Sequence, residues 1–229
     1  MSPARVHLSR FWSTDRSLTV FLILLLVIVF VFVLHPLGDL GFLNRLWIGL
    51  VFSFLLVSGV AAVAQSRAML TLATGLSLLA LLSIWAEHVA PRHSSSVLRA
   101  ASVLACLGLL AWVVLRRVFQ AGPITMDRVQ GSLAVYLLLG LMWTSAYSLV
   151  LLHDPDAFQP AIPAMAAALQ PKLVYFSFVT LTTTGYGDFT PVNPVARALS
   201  NLESLVGQLY PVVLIARLVA MELQFRDKE

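Results

Sequence analysis

The residues whose types and spacing could do chemistry lie in one short polar stretch, residues 180–191. Its centre reads Thr182-Thr183-Thr184-Gly185-Tyr186-Gly187-Asp188 and lies between two apolar segments. Non-helical backbone at membrane depth is tolerated only where protein buries it or where it lines a watery path. Backbone carbonyls along such a path can replace the hydration shell of a cation. Glycines that can adopt left-handed conformations help to turn successive carbonyls toward one axis, so the stretch predicts cation coordination; the alternative is a glycine-rich turn.

The composition indicates a protein that crosses a membrane several times. The chain has 229 residues, of which 59% are hydrophobic and 11% charged, and its mean hydropathy is +0.88. The net charge of +4 comes from arginines scattered among loops, so binding to nucleic acid is not expected. The one cysteine, Cys106, lies in an apolar run and has no partner for an intrachain disulfide.

The hydropathy pattern predicts an all-α membrane protein with six transmembrane helices, a re-entrant half-helix and a polar loop. A cytoplasmic N-terminal segment (1–17) precedes a four-helix domain (18–119) and a second domain (120–229). The run 173–182 is apolar but too short to span, which favours a half-helix. The predicted spans are TM1 (18–34), TM2 (46–64), TM3 (68–86), TM4 (97–115), TM5 (127–152) and TM6 (194–225).

The distribution of basic residues predicts that both termini are cytoplasmic. With six spans, ten of the 15 lysines and arginines fall on the side of the termini. The polar stretch then enters from outside, and Asp154, Asp156 and Asp188 would make its outer mouth acidic. An ordinary loop is the alternative for Asp154 and Asp156. The compactness of the chain suggests a multi-pass protein of a bacterial inner membrane.

The order TM5, half-helix, polar stretch, TM6 resembles the pore module of potassium channels. Residues 183–188 keep the Thr-x-Gly-Tyr-Gly-Asp core of that family, and the resemblance covers about residues 128–225. The six-span layout is similar to that of the voltage-gated-like members. The resemblance implies a homotetramer in which four copies of Thr183, Thr184, Gly185 and Tyr186 offer carbonyls to K⁺ and Gly187 completes the filter. It also makes the Thr183 hydroxyl the innermost ligand.

The same resemblance implies a set of residues that support the filter: Thr182, Asp188, Tyr175 and Phe176. Tyr175 is placed to donate a hydrogen bond to Asp188, and simple core packing is the alternative for Tyr175 and Phe176. Thr184 stands where the family most often has valine. Its hydroxyl therefore needs a partner behind the filter.

TM6 contains residues that, by resemblance, shape the inner half of a pore. Gly207 is at the position of a bending glycine, and Pro211 removes a backbone hydrogen bond and should kink the helix. Gln208 is expected to face the cavity, with Ile215 and Val219 at a lower apolar constriction.

Glu203 is an acid deep inside TM6, which makes it a candidate functional residue. Two possibilities are open. The carboxyl pairs with a hydroxyl behind the filter, such as that of Thr182 or Thr184, or it is protonated.

TM4 lacks the repeated basic residues of a voltage sensor, because Arg99 is followed by no basic residue until Arg116 and Arg117. The sequence therefore predicts passive K⁺ conduction with weak or no voltage sensitivity, with K⁺ as permeant ion, lipids as surroundings and no cofactor. A nonselective cation channel and a non-conducting regulatory or structural subunit are the alternatives. No catalytic set of side chains converges in the spans, so an enzyme is not expected.

Overall fold

The computed structural model describes residues 67–89, 93–120, 126–161 and 169–226. The predicted N-terminal segment, TM1 and TM2 lie outside the described residues. The elements in chain order are α1 (Arg67–Val89), α2 (His93–Val118), α3 (Met126–His153), β1 (Phe158–Gln159), α4 (Leu169–Leu181), β2 (Thr190–Pro191) and α5 (Pro194–Arg226).

Helices are present at the positions predicted for TM3 to TM6. In the described part of the chain, three of them are long and apolar enough to cross a membrane, along Ser96–Val118, Arg128–His153 and Pro194–Met221. The helix α1 contains a shorter apolar stretch, Thr71–Ala86. The four helices predicted in this region are therefore confirmed, and three of them have the length and composition of a span. The membrane span predicted for α1 stays a prediction.

The short helix α4 is longer at its start than predicted. It runs over 13 residues, beginning at Leu169 rather than at residue 173, and it includes Pro171 near its start. Proline is tolerated in the first turn of a helix, where its missing N–H would have had no intrahelical partner. The predicted boundary was wrong because the proline was treated as preceding the helix.

The helices α1, α2 and α3 pack side by side through small and branched apolar residues. The cluster is centred on Leu107, Leu110 and Leu138 and extends to Val174 of α4. Polar side chains within it are paired, as in the 2.9 Å hydrogen bond between the hydroxyls of Ser83 and Ser102. Within the described residues, α2 therefore contacts both α1 and α3 directly.

A second, aromatic cluster lies beside the polar stretch. The rings of Phe158 and Phe189 stack with centroids 5.0 Å apart, and Tyr147 and Phe176 pack edge-on against Phe158. The strands β1 and β2 pair antiparallel, with Phe158 opposite Pro191. Strand pairing and ring packing together join the connection after α3 to the end of the polar stretch.

The helix α5 begins with a capped N-terminus. Asn193 Oδ1 accepts hydrogen bonds from the backbone N–H groups of Val195 and Ala196, at 2.8 and 3.4 Å, and Pro194 occupies the first helical position. Asn193 Nδ2 donates to Asp154 Oδ2 at 2.7 Å. Asp154 thus holds the residue that caps α5, and its contribution to an acidic outer mouth stays a prediction.

Candidate functional site

The polar stretch begins where α4 ends, and the end is closed by a Schellman motif. The N–H of Thr184 donates to the carbonyl of Val179 and the N–H of Thr183 to that of Thr180, both at 2.9 Å. Thr183 occupies the left-handed position of this motif with φ of 57°. Glycine is usual there, and a β-branched residue at positive φ is a genuine outlier, costing about 1–2 kcal/mol.

Three alternate residues of the stretch have left-handed backbone conformations. Gly185 and Gly187 have φ of 60° and 78°, as their type allowed, and Thr183 precedes them in the same pattern. Thr184 and Tyr186 between them are not at positive φ. Alternation of this kind turns successive peptide groups to one side of the chain. The left-handed conformation of Thr183 had no signal in the sequence, because threonine normally avoids it.

The whole stretch from 182 to 188 is exposed in the single chain. Tyr186 is 71% exposed, which is unusual for an aromatic side chain in an apolar protein. An ordered but uncovered polar loop between apolar helices suits a surface that faces a partner or a watery path.

The side-chain hydroxyls of Thr182 and Thr184 are hydrogen-bonded to each other and to the end of α4. Thr182 Oγ1 donates to the Phe178 carbonyl at 2.7 Å and lies 2.9 Å from Thr184 Oγ1. Since Thr182 has one hydroxyl proton, Thr184 is the donor in the second bond. The expected partner for the Thr184 hydroxyl is therefore Thr182.

The hydrogen bond predicted between Tyr175 and Asp188 is present. Tyr175 OH donates to Asp188 Oδ1 at 3.1 Å, and the Tyr175 ring lies parallel to that of Tyr186 with centroids 6.4 Å apart. Phe176 points the other way and is buried in the aromatic cluster, at 5.0 Å from the Tyr147 ring. Of the two neighbouring aromatic residues, Tyr175 contacts the stretch and Phe176 packs in the core.

Glu203 is completely buried, and its partners differ from those predicted. Its two carboxyl oxygens lie 2.5 Å from Tyr147 OH and 2.5 Å from Ser177 Oγ. Pairing with Thr182 or Thr184 was wrong, because those hydroxyls bond to each other and to the end of α4. Tyr147 and Ser177 were missed by sequence reasoning. Their signal was weak, since both are single polar residues within apolar helical runs.

Gly207 lies against the carbonyl end of α4. A β-carbon at Gly207 would collide with the carbonyl oxygen of Leu181 and would lie 2.8 Å from its carbonyl carbon. The helix α5 continues without interruption through Gly207 and Pro211 to Arg226. Close packing therefore accounts for the glycine, and its role as a hinge stays a prediction.

The remaining residues predicted for the inner pore lie on α5 and are exposed in the single chain: Gln208, Ile215 and Val219. In the most apolar segment of each long helix, the share of buried residues is 6% for α5, against 50% for α2 and 44% for α3. The described residues contain no group of three or more His, Cys, Asp or Glu side chains suited to a metal ion.

Comparison with known proteins gives a consistent result. Residues 170–223, from the start of α4 into the last turns of α5, match a family model described as "Ion channel". Protein LctB of Bacillus caldotenax is 30% identical over 112 residues, covering 47% of this chain and 81% of that protein. No solved structure matches significantly. The matched region contains the capped end of α4, the residues with left-handed backbone and the buried Glu203. This chain is an integral membrane protein that belongs to the ion channel family.

Proposed function

We propose that the chain forms a K⁺-selective channel that conducts passively through a pore made by four copies. In this arrangement the carbonyls of Thr183, Thr184, Gly185 and Tyr186 coordinate successive dehydrated ions, and the Thr183 hydroxyl is the innermost ligand. The observation that carries the proposal is the left-handed backbone of Thr183. Strain of this kind persists where the surroundings impose it and is concentrated at functional sites.

The strain has an identifiable counterpart in the side chain of Thr183. A glycine would close the Schellman motif without cost, as glycine does at most such positions. Threonine at the same position costs about 1–2 kcal/mol but supplies a hydroxyl at the inner end of the stretch. A ligand role for that hydroxyl gives the costly residue a reason.

Assembly around a shared axis is supported by what one chain leaves uncovered. A single loop cannot surround an ion, whereas identical loops from the subunits of a closed symmetric oligomer can form a ring around it. The face of α5 is apolar and largely uncovered, and one side of the polar stretch is exposed along its length. Neighbouring subunits and lipid would cover these surfaces.

Selectivity for K⁺ over Na⁺ is supported by the way Thr184 is held. Its hydroxyl is hydrogen-bonded to that of Thr182 rather than left to compete with the backbone as an ion ligand. Thr184 can then act as valine does in the resembling channels, offering its carbonyl alone. Weak or absent voltage dependence, cytoplasmic termini and a bacterial inner membrane remain part of the proposal.

Ion flux from liposomes tests the proposal. The purified chain is reconstituted alone, and its K⁺ and Na⁺ fluxes and bi-ionic reversal potentials are compared with those of Gly185→Ala. An alanine at φ of 60° is strained whatever space surrounds it, so we expect the variant to lose flux.

The matched control is Gly75→Ala in α1. Gly75 has open space around it and no left-handed conformation, so alanine there should leave flux unchanged. Equal permeability to K⁺ and Na⁺ would contradict selectivity and favour a nonselective cation channel. A tetramer with no flux would favour a non-conducting subunit.

A further inference from the structure

The carboxyl group of Glu203 is a fully buried titratable group that the proposed ion path does not use. It is 0% exposed and lies where α3, α4 and α5 meet. Tyr147 of α3 donates to Oε2 and Ser177 of α4 contacts Oε1. One side chain of α5 thus joins the two other helices.

The protons in this cluster can be counted from the distances. Ser177 Oγ lies 2.5 Å from Glu203 Oε1 and also 2.7 Å from the carbonyl oxygen of Gly140. A serine hydroxyl has one proton, and a carbonyl oxygen has none to give. If Ser177 donated to an ionised Glu203, its contact with Gly140 would bring two bare oxygens together. Both contacts are hydrogen bonds when Oε1 carries a proton, donates it to Ser177, and Ser177 donates to Gly140.

The surroundings of Glu203 favour the neutral form on independent grounds. The titratable side chains that face the carboxyl from α3 are Tyr147 and Tyr136, and α4 contributes the hydroxyl of Ser177. Within the described residues, the carboxyl has no cationic partner. An ionised carboxylate without a cation in a dry interior is very costly, and such a group neutralises instead.

We infer that Glu203 is held as a neutral carboxylic acid, and that the hydrogen-bonded chain from Tyr147 through Glu203 and Ser177 to Gly140 positions α4 between α3 and α5. This inference rests on the proposed function only for its readout in ion flux. Glu203 is a positioning residue, because it acts on the polar stretch through α4 and touches no ion.

The positioning is local to the end of α4 that carries the stretch. Ser177 lies within the last two turns of α4, and Ser204, next to Glu203, donates to the Thr180 carbonyl at 3.4 Å. Gly207, one turn further along α5, has no side chain and so leaves room for the Leu181 carbonyl group. Through these contacts the neutral acid fixes which face of α5 packs against the start of the polar stretch.

Glu203→Gln is the variant that separates a neutral acid from a carboxylate. Glutamine can donate from its amide nitrogen to Ser177 and accept from Tyr147, which are the two bonds of the protonated acid. We expect Glu203→Gln to keep the wild-type K⁺ flux and K⁺-to-Na⁺ preference within about threefold. Ser177→Ala and Glu203→Asp should each lower flux by about tenfold, because each breaks a buried hydrogen-bonded chain.

Infrared spectroscopy gives a readout that does not depend on conduction. The wild-type channel should show the C=O stretching band of a protonated carboxylic acid, unchanged between mildly acidic and neutral buffer. The band should disappear in Glu203→Gln and shift in Tyr147→Phe, which loses one hydrogen bond to the acid. If the wild-type chain carried no flux, this band and the thermal stability of Glu203→Gln would still decide the inference.

Two results would overturn the inference. One is a wild-type spectrum without a protonated-acid band that depends on Glu203. The other is a Glu203→Gln variant that loses stability to the same extent as Ser177→Ala, since an amide replacing a carboxylate presents a donor where an acceptor was needed.

Discussion

The backbone of Gly207 in α5 lies directly against the Leu181 carbonyl group at the end of α4. A β-carbon at Gly207 would overlap the Leu181 carbonyl oxygen and lie 2.8 and 3.1 Å from its carbonyl carbon and α-carbon. Backbone atoms at a helix end cannot move aside as the tip of a flexible side chain can. The absence of a side chain at one residue of α5 therefore sets where the polar stretch begins.

Replacing Gly207 with alanine should destabilise the assembled protein by about 1–3 kcal/mol, because overpacking forces backbone shifts of this kind. The effect is measured by thermal denaturation of the detergent-solubilised channel, with loss of the oligomer as the signal. Gly75→Ala is the control, since its added methyl group meets open space. Unchanged thermal stability with altered channel opening would contradict the packing role and favour a hinge at Gly207.

Thr183→Gly should separate folding stability from conduction. Glycine adopts φ of 57° freely, so the variant should be either as stable as the wild type or more stable by up to about 1 kcal/mol. It lacks the hydroxyl, so K⁺ flux and the preference for K⁺ should fall. Thr183→Ser retains the hydroxyl and is expected to preserve both. Full selectivity in Thr183→Gly would contradict a ligand role for the hydroxyl.

Loss of the hydroxyl of Tyr175 should weaken the outer end of the stretch. Tyr175→Phe keeps a ring beside Tyr186 but removes the donor to Asp188, a bond worth about 1–3 kcal/mol when the acceptor is charged, less where water screens it. We expect the K⁺ flux of Tyr175→Phe to decline more rapidly with time than that of the wild type after the K⁺ concentration is lowered. Asp188→Asn is the matched variant, because its amide oxygen can still accept from Tyr175. Asp188→Asn is therefore expected to stay closer to the wild type, and a Tyr175→Phe variant whose flux declines at the wild-type rate would contradict a role for this hydrogen bond.

Substitution of Thr182 and of Thr184 by valine should have unequal effects. Thr184→Val removes a donor to Thr182, whose own hydroxyl keeps its bond to Phe178, so the cost should be about 1 kcal/mol or less with K⁺ selectivity retained. Thr182→Val leaves the Thr184 hydroxyl without its partner and should reduce selectivity more. Flux measurements of the two variants at equal protein-to-lipid ratios test the order. Equal losses would show that the direction of the bond between them is unimportant.

Channel opening should depend little on membrane potential. Moving one charge across 100 mV is worth about 2.3 kcal/mol, and α2 has basic residues only near its ends. The Arg116 guanidinium lies 4.7 Å from the Trp112 ring centroid, a cation–π contact that suits an interfacial anchor. Planar-bilayer recordings of Arg116→Gln with Arg117→Gln should show the same shallow conductance–voltage relation as the wild type. A steep relation that is lost in this double variant would refute the prediction.

Several features of the site could be read from residue types alone. Gly185 and Gly187 indicated left-handed backbone, and the order of apolar runs predicted α1, α2, α3 and α5. These features are local in sequence or periodic, so the pattern of side chains is enough to specify them. The start of α4 was placed four residues too late, because Pro171 suits both the approach to a helix and its first turn.

The sequence by itself determined that this chain crosses a membrane and that a polar, glycine-containing stretch interrupts its apolar helices. Only the tertiary structure decided which hydroxyls of that stretch pair, that Thr183 bears a left-handed backbone, and that Glu203 bonds to Tyr147 and Ser177. These contacts join residues 26 and 56 positions apart in the case of Glu203. Such pairings depend on how three helices approach one another, and a single apolar helix carries no record of which polar neighbour will face its buried acid.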